Sequence, residues 1–200
     1  MSGVALNEFK TVTEIKAHAA DLLKSGFLPD AFKTSEQVMV AVQYGREIGL
    51  DFMTAINNIN VIGGKPTLSI HAIASLIRKA GIRYRLVEDA VWIREDGTVD
   101  PIRLTTKTVK DGKAVTNYSY NYIDCRTTFE FVEMFQGQPL VQSFSFLYSE
   151  AKAQELDQKS NWKKMFKIMM RTRALSLGAR LVCPEALLGM YEITEMLDAK

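Results

Sequence analysis

Seven basic residues lie in one segment between Gln158 and Pro184 that contains no acidic residue. They are Lys159, Lys163, Lys164, Lys167, Arg171, Arg173 and Arg180. The whole chain has 25 lysines and arginines against 23 aspartates and glutamates, so 18 basic and 23 acidic residues remain outside this segment. Positive charge concentrated in this way is typical of a surface that binds a polyanion such as a nucleic acid.

A helix predicted over 161–182 would place four of these cations on one side. At about 100° per residue, Lys163, Lys167 and Arg171 follow one another at i, i+4 spacing, and Lys164 lies beside them. We predict that this side contacts DNA phosphates. The alternative is a cationic face that is simply solvated.

A second side of the same helix would carry Trp162, Met169, Arg173 and Arg180 in a narrow stripe. Arginines among large apolar residues are costly unless an anion meets them. We therefore predict that Arg173 and Arg180 line a DNA groove together with Trp162. The alternative is that both arginines pair with acids from distant segments.

Three tyrosines alternate in the middle of the chain, at Tyr118, Tyr120 and Tyr122. On a strand all three would share one face. Such a face, with Arg126 nearby, could stack the bases of single-stranded nucleic acid. The alternative is that the tyrosines pack the sheet against helices.

A predicted hairpin turn at Gly63-Gly64 precedes Lys65, so backbone N–H groups and the Lys65 amine could meet a phosphate. The segment lacks the spacing of a nucleotide-binding loop. An ordinary hairpin turn is the alternative.

Evidence for catalysis in the sequence is confined to a group of carboxylates. These are Glu88, Asp89, Glu95, Asp96 and Asp100. A metal-dependent nuclease could gather such acids, but charged turns have the same composition, and no histidine or lysine motif accompanies them. We therefore predict a protein that is not an enzyme and has no metal site and no cofactor.

The two cysteines, Cys125 and Cys183, have no CxxC spacing and no nearby histidine. They predict small core residues in a reduced, cytoplasmic chain. The N-terminal residues show no signal-peptide pattern, and no apolar run reaches the length of a membrane span, so we expect no membrane association.

The elements that must position these residues predict an α+β fold. Capping and periodicity indicate helices with a short Gly-Gly hairpin over 1–81. Thr11 and Glu14 have the spacing of a capping box, and a second helix is predicted to start after Thr34 or Ser35, with Gln37 completing a box. Residues 82–146 are strand-rich and predict a central antiparallel β-meander. We predict two short strands over 83–87 and 90–94, a hairpin of 102–109 and 114–122 around a turn at Asp111-Gly112, and strands over 126–135 and 140–146. Residues 147–200 are helical again. No linker composition divides the chain, so we predict a single domain over 1–200.

Two blocks of the sequence resemble the RecT and Red-beta family of phage single-strand annealing proteins. The first is GREIGLDFMTAINNINVIGGKPTLSIHAIASLIRKAG, residues 45–81, and the second is NWKKMFKIMMRTRALSLGARLVCPEALLGMYEITE, residues 161–195. The second block has the family's tryptophan, basic helix and G-x-Y ending at Trp162, Lys167, Met169, Arg171, Arg173, Ala174, Arg180, Gly189 and Tyr191. Together the blocks cover about a third of the chain.

The resemblance implies an annealing core that assembles into rings or helical filaments, with DNA in a basic groove. It places Lys167, Arg173 and Arg180 at the family's DNA-binding positions. It also implies ATP-independent annealing in the cytoplasm of a bacterial host, with a phage exonuclease or the host single-strand binding protein as partner. The sequence departs from the family at Asp51-Phe52, where a proline-containing turn is common, and little sequence follows Tyr191 for a partner-binding extension.

The leading hypothesis is therefore a protein that binds single-stranded DNA and anneals it into duplex without a cofactor. A passive single-strand coat protein would share the groove but would not accelerate pairing. The nuclease based on the carboxylates is the third hypothesis.

Overall fold

The computed structural model describes residues 11–26, 28–110 and 113–199 of a mixed α+β protein. The helices are α1 (Val12–Ser25), α2 (Ser35–Glu47), α3 (Phe52–Asn58), α4 (Ile70–Lys79), α5 (Tyr148–Ala153), α6 (Ser160–Lys164), α7 (Phe166–Val182), α8 (Pro184–Leu187) and α9 (Ile193–Asp198), with a 3₁₀ turn at Leu156–Gln158. The strands are β1 (Ile59–Ile62), β2 (Lys65–Leu68), β3 (Arg83–Arg94), β4 (Val99–Asp100), β5 (Thr105–Lys110), β6 (Lys113–Tyr118), β7 (Tyr122–Phe135), β8 (Gln138–Leu147) and β9 (Tyr191–Glu192).

The chain divides into two compact units, where the sequence predicted one domain. The first unit combines the chain up to Leu76 with the residues from Glu185 onward, and the second spans Ile77–Pro184. The C-terminal part predicted as one helical region is therefore shared between the units, because its last short elements join the N-terminal helices.

In the first unit, side chains fix the starts of the helices as predicted. Thr11 and Thr34 each accept a hydrogen bond from the backbone N–H three residues later, and Glu14 and Gln37 accept one from the cap backbone in return. These reciprocal bonds satisfy N–H groups that a helix leaves unpaired at its start. Strands β1 and β2 form the predicted antiparallel hairpin, and β9 adds to β2 in parallel.

In the second unit, a four-stranded antiparallel sheet has the order β4-β3-β7-β8. Strands β5 and β6 pair only with each other, as a separate two-stranded hairpin. The turn predicted at Asp111-Gly112 lies outside the described residues. The turn between β7 and β8 consists of Gln136 and Gly137, both with positive φ, so β8 begins at Gln138 rather than at the predicted Leu140.

Helix α7 covers one face of this sheet closely. A Cβ atom on Gly178 would lie 2.2 Å from the ring of Phe131, so only glycine permits this approach. Side chains alternate along a strand, so Phe129 and Phe131 share what we call the helix face. Arg126, Thr128 and Glu130 point to the opposite side, which we call the ion-pair face.

Strand β3 contains a bulge that neither of the two predicted short strands indicates. Glu88 is opposite Thr128 and Val91 is opposite Arg126, so Asp89 and Ala90 together face one residue of β7. Ala90 has φ 50°, a left-handed conformation that is unfavourable for a residue with a Cβ atom. The bulge merges the two predicted strands into the single strand β3.

Both cysteines are buried core residues, as predicted. Burial raises the pKa of the Cys125 thiol to about 12, so this thiol stays protonated near neutral pH. Within residues 11–26, 28–110 and 113–199, no helix has both the length and the apolar character needed to cross a membrane.

Candidate nucleic-acid interface

The helix predicted over 161–182 is interrupted at Met165. This residue has φ −129° and ψ 40°, which ends α6 and begins α7. The sequence contains no glycine or proline at this point. The break allows Trp162 and Phe166 to pack against different aromatic residues on either side of it.

Trp162 is buried, with 1% of its surface exposed. Its ring lies 6.2 Å from that of Phe146, at the end of β8. The prediction that Trp162 contacts DNA is therefore corrected: the indole anchors α6 in the core and has no free face for a base.

The predicted cationic side of α6 and α7 does reach solvent. Lys163, Lys164, Lys167 and Arg171 are all exposed. Across the part of the chain that the structure describes, Lys163 and Lys164 have no carboxylate within ion-pair distance. Their positive charge is therefore available to a ligand.

Arg171, in contrast, binds a carboxylate from the sheet. Its Nε and Nη2 atoms donate to the two oxygens of Asp89 at 2.7 and 2.6 Å, and the Lys167 ammonium lies 3.9 Å from the same carboxylate. These contacts, the Arg171 hydrogen bond first, hold the pKa of Asp89 below its usual value. Pairing with an acid from a distant segment, which we considered for Arg173 and Arg180, thus occurs at Arg171. The sequence had placed Arg171 on the solvent-exposed cationic side.

Arg173 and Arg180 are half-buried on α7. The Nε atom of Arg173 is inaccessible to solvent, and both residues interact with other groups of the protein. Neither arginine presents an open guanidinium comparable to the ammonium groups of Lys163 and Lys164.

The three alternating tyrosines do not lie on one strand. Strand β6 ends at Tyr118 and β7 begins at Tyr122, with Tyr120 in the link between them. The rings of Tyr118 and Tyr120 nevertheless each lie 6.5 Å from that of Tyr122, edge to face. Tyr118 and Tyr120 are 55% and 45% exposed, which does not fit the alternative of tyrosines packed under helices.

Two guanidinium groups stack on these rings, and the sequence did not identify either. Arg103 lies 3.6 Å from the ring centroid of Trp92 and 4.6 Å from that of Tyr118. Arg94 lies 3.5 Å from the centroid of Tyr120. Arg103 follows β4 in an irregular segment, where no periodicity could have placed it beside a tryptophan.

Hydrogen bonds hold Arg94 in this position. Its Nε and Nη2 atoms donate to Asp100 at 2.6 and 2.8 Å. The Tyr122 hydroxyl also donates to Asp100 and accepts from the backbone N–H of Leu104. The hydrogen bond from Arg94 is the main cause that lowers the pKa of Asp100. The aromatic cluster is thereby tied to the backbone between β4 and β5.

Trp92 connects the tyrosines with the lysines. Its ring is stacked on that of Phe166 at 5.7 Å and 17°, and Phe166 precedes Lys167 at the start of α7. Contacts through Trp92 and Phe166 therefore connect the tyrosine rings and the stacked guanidinium groups to the start of α7. Lys167 lies on α7, and Lys163 and Lys164 lie on α6 directly before it. We call this the aromatic–cation surface; its members are Arg94, Arg103, Tyr118, Tyr120, Trp92, Phe166, Lys163, Lys164 and Lys167.

Arg126 does not belong to this surface. It points to the ion-pair face, where its Nε and Nη2 atoms donate to the two oxygens of Glu88 at 2.6 Å each. Thr128 donates a further hydrogen bond to Glu88. The prediction that Arg126 contacts DNA beside the tyrosines is corrected, because the strand register turns it away from the helix face and pairs it with a carboxylate.

Lys65 lies in the first unit, whereas the other predicted site residues lie in the second. It follows Gly63 and Gly64, whose φ angles of 59° and 78° form the two-residue turn between β1 and β2. The turn alternative accounts for both glycines. The Lys65 side chain is exposed.

The carboxylates considered for a nuclease are held separately by different neighbours. Glu88 and Asp89 pair with arginines on opposite faces of the sheet, and Asp100 binds Arg94. Asp96 accepts from the backbone of Thr98, and Glu95 accepts from Asn121. In the described ranges, no group of three or more histidines, cysteines, aspartates or glutamates is placed to hold a metal ion.

Comparison with protein-family models, curated proteins and solved structures yields no match to this chain. The resemblance of its two sequence blocks to single-strand annealing proteins therefore remains a prediction from motif order and spacing.

Proposed function

We propose that this chain binds single-stranded DNA and anneals complementary strands without ATP, as a self-assembling recombination protein of the phage type. The observation that carries the proposal is the aromatic–cation surface. Exposed aromatic rings beside cations suit single strands, because bases stack on the rings while phosphates bind the cations.

Within this proposal, the exposed residues divide into two roles. Lys163, Lys164 and Lys167 bind backbone phosphates, and Tyr118 and Tyr120 stack bases. Arg94 and Arg103 stack on the tyrosine rings and hold them in place. Bases that remain uncovered between these contacts are available to a second strand. The half-buried Arg173 and Arg180 support the phosphate side of the groove, in line with the family resemblance.

Self-assembly extends the site in this proposal, because one small unit covers only a few nucleotides. Neighbouring copies in a ring or helical filament would present successive surfaces to one strand, with the antiparallel sheet as the annealing core. The reaction makes and breaks no covalent bond, so it requires no cofactor. A phage exonuclease or a host single-strand binding protein is the proposed partner in the bacterial cytoplasm.

A strand-pairing assay tests the proposal. Complementary labelled oligonucleotides are mixed with the protein, with and without ATP, and we expect pairing faster than the spontaneous rate in both cases. Binding without faster pairing would favour the coat protein, and cleavage with magnesium would favour the nuclease. A strict ATP requirement contradicts the proposal.

Matched variants of the tyrosines separate stacking from other effects. The Tyr118→Ala/Tyr120→Ala double variant should lose roughly 1–3 kcal/mol of binding free energy for each base that loses its stacking partner. The Tyr118→Phe/Tyr120→Phe control keeps both rings and should retain the affinity. Equal losses in the two double variants would show that the hydroxyl groups, and not the rings, contact the DNA.

A further inference from the structure

Two adjacent carboxylates of β3 point to opposite faces of the sheet, as neighbouring residues of a strand do. Glu88 pairs with Arg126 on the ion-pair face, and Asp89 pairs with Arg171 on α7. The left-handed Ala90 completes the bulge, and its N–H donates to the Thr127 hydroxyl at 3.0 Å.

The pair that Asp89 forms has the geometry of phosphate recognition. The planar guanidinium fork of arginine binds a carboxylate and a phosphate in the same bidentate manner. In this pair both Asp89 oxygens accept from Arg171, while Lys167 lies at 3.9 Å. All three side chains are partly open to solvent: 33% of Asp89, 45% of Arg171 and 47% of Lys167 is exposed.

We propose that Asp89 occupies a phosphate-binding site on Arg171 and Lys167, and that the DNA backbone binds there by exchange with this carboxylate. This inference rests on the proposed function. A phosphate cannot take the fork of Arg171 while both Asp89 oxygens hold it. Lys163 and Lys164, which carry no such partner in the described part of the chain, bind the strand without exchange.

The exchange makes the site selective for long polyanions. A carboxylate attached to the same molecule competes at a high effective concentration, so a single free phosphate displaces it poorly. A strand already held by Lys163 and Lys164 presents its next phosphate at a comparable effective concentration. Asp89 therefore acts as a specificity-determining residue against mononucleotides and inorganic phosphate.

Two matched substitutions test the inference. Asp89→Asn and Glu88→Gln make the same chemical change at adjacent residues on opposite faces of the sheet. With a fluorescein-labelled oligothymidylate as the probe, we expect Asp89→Asn to tighten binding by about three- to tenfold, the net value of one ordinary hydrogen bond, because the strand no longer has to displace a carboxylate. The salt dependence of log K should stay close to that of the wild type, because the wild-type strand also binds Arg171 once it has displaced Asp89. Glu88→Gln should change neither quantity.

A third substitution tests whether Arg171 is the source of the tighter binding. Arg171→Gln added to Asp89→Asn should cancel the gain, because the freed guanidinium is its source. Thermal melting is measured for each variant, and Asp89→Ser replaces Asp89→Asn if the amide lowers the melting temperature.

Each outcome bears on one of the two proposals. Equal tightening by Asp89→Asn and Glu88→Gln would overturn the exchange, because the effect would then be one of net charge. Weaker binding by Asp89→Asn would also overturn it, and would make Asp89 a positioning residue for Arg171. If neither the wild type nor any variant binds the probe, the proposed function itself fails.

Discussion

The two faces of the sheet in the second unit each carry a bidentate arginine–carboxylate pair, yet the pairs differ in their surroundings. On the ion-pair face, Glu88 and Arg126 both lie on paired strands, and Thr128 donates to the same carboxylate. On the helix side, Asp89 joins the bulge of β3 to Arg171, with Lys167 as a second cation.

The difference shows that an excess of cations over carboxylates, and not the number of cations alone, distinguishes the candidate site. Arg126 has a carboxylate of its own, and 35% of its side chain is exposed, so little binding capacity remains. On the helix face, the two cations Lys167 and Arg171 share the single carboxylate of Asp89. Lys163 and Lys164 add further positive charge there, so the cations outnumber the carboxylates. A surplus of partly exposed positive charge is what a polyanion requires.

The largest effect on stability is expected for Trp162→Ala, which removes the indole that anchors α6, the helix that carries Lys163 and Lys164. The indole is buried, so its loss should lower the free energy of unfolding by about 3–5 kcal/mol. Urea unfolding measures this. Tyr118→Ala, at an exposed ring of the same unit, is the control and should change stability by about 0.5 kcal/mol or less. If the Trp162→Ala variant were stable but bound DNA weakly, the indole would contact DNA, and its assignment to the core alone would be wrong.

A smaller effect on stability is expected for Arg126→Ala on the ion-pair face. It leaves Glu88 with only its hydroxyl partner, at a partly exposed position, so we expect a loss of about 1–2 kcal/mol of stability. Affinity for single-stranded DNA should remain that of the wild type. If affinity falls with stability unchanged, Arg126 contacts DNA and the two faces do not differ in function.

Structural features that depend on residues close together in the sequence were predictable, and those that depend on distant residues were not. Helix starts at Thr11 and Thr34 depend on residues three positions away, and the sequence predicted the first at Thr11 and the second at Thr34 or Ser35. The break at Met165 and the left-handed Ala90 carry no glycine or proline signal in the sequence. Local pattern therefore predicted the elements but not these two distortions.

The candidate site was predictable only in part, for the same reason. The exposure of Lys163, Lys164 and Lys167 follows from helical spacing. The pairing of Arg126 depends on the register of β3 with β7, which spacing along one strand does not contain. The stacking of Arg103 on Trp92 joins an irregular segment to a strand, so only the tertiary structure brings the two together.

Acid sensitivity should distinguish the two pairs next. The hydrogen bond from Arg126 is the main cause that holds the pKa of Glu88 below its ordinary value of 4.5. A lowered folded-state pKa stabilises the fold fully above the unfolded pKa, and this contribution is lost as the pH falls through the folded one. Glu88→Gln should therefore flatten the decline of stability below about pH 4.5. Asp89→Asn should flatten it less, since the Asp89 pair is more exposed. Urea unfolding across this range measures both, and a larger effect of Asp89→Asn would reverse the comparison.

The smallest effect on stability, with a clear effect on binding, is expected for Lys163→Gln/Lys164→Gln. Both side chains are exposed, so the free energy of unfolding should change by about 0.5 kcal/mol or less. Each lysine that neutralises a phosphate contributes about 0.7 to the salt dependence of log K for a single strand, so the slope should become shallower by roughly 1.4. Lys24→Gln/Lys33→Gln makes the same change of net charge at exposed positions of the first unit and should leave the slope unaltered. An equal reduction of the slope in both double variants would mean that the DNA responds to the overall charge of the protein. The surplus of cations on α6 and α7 would then not be the binding site.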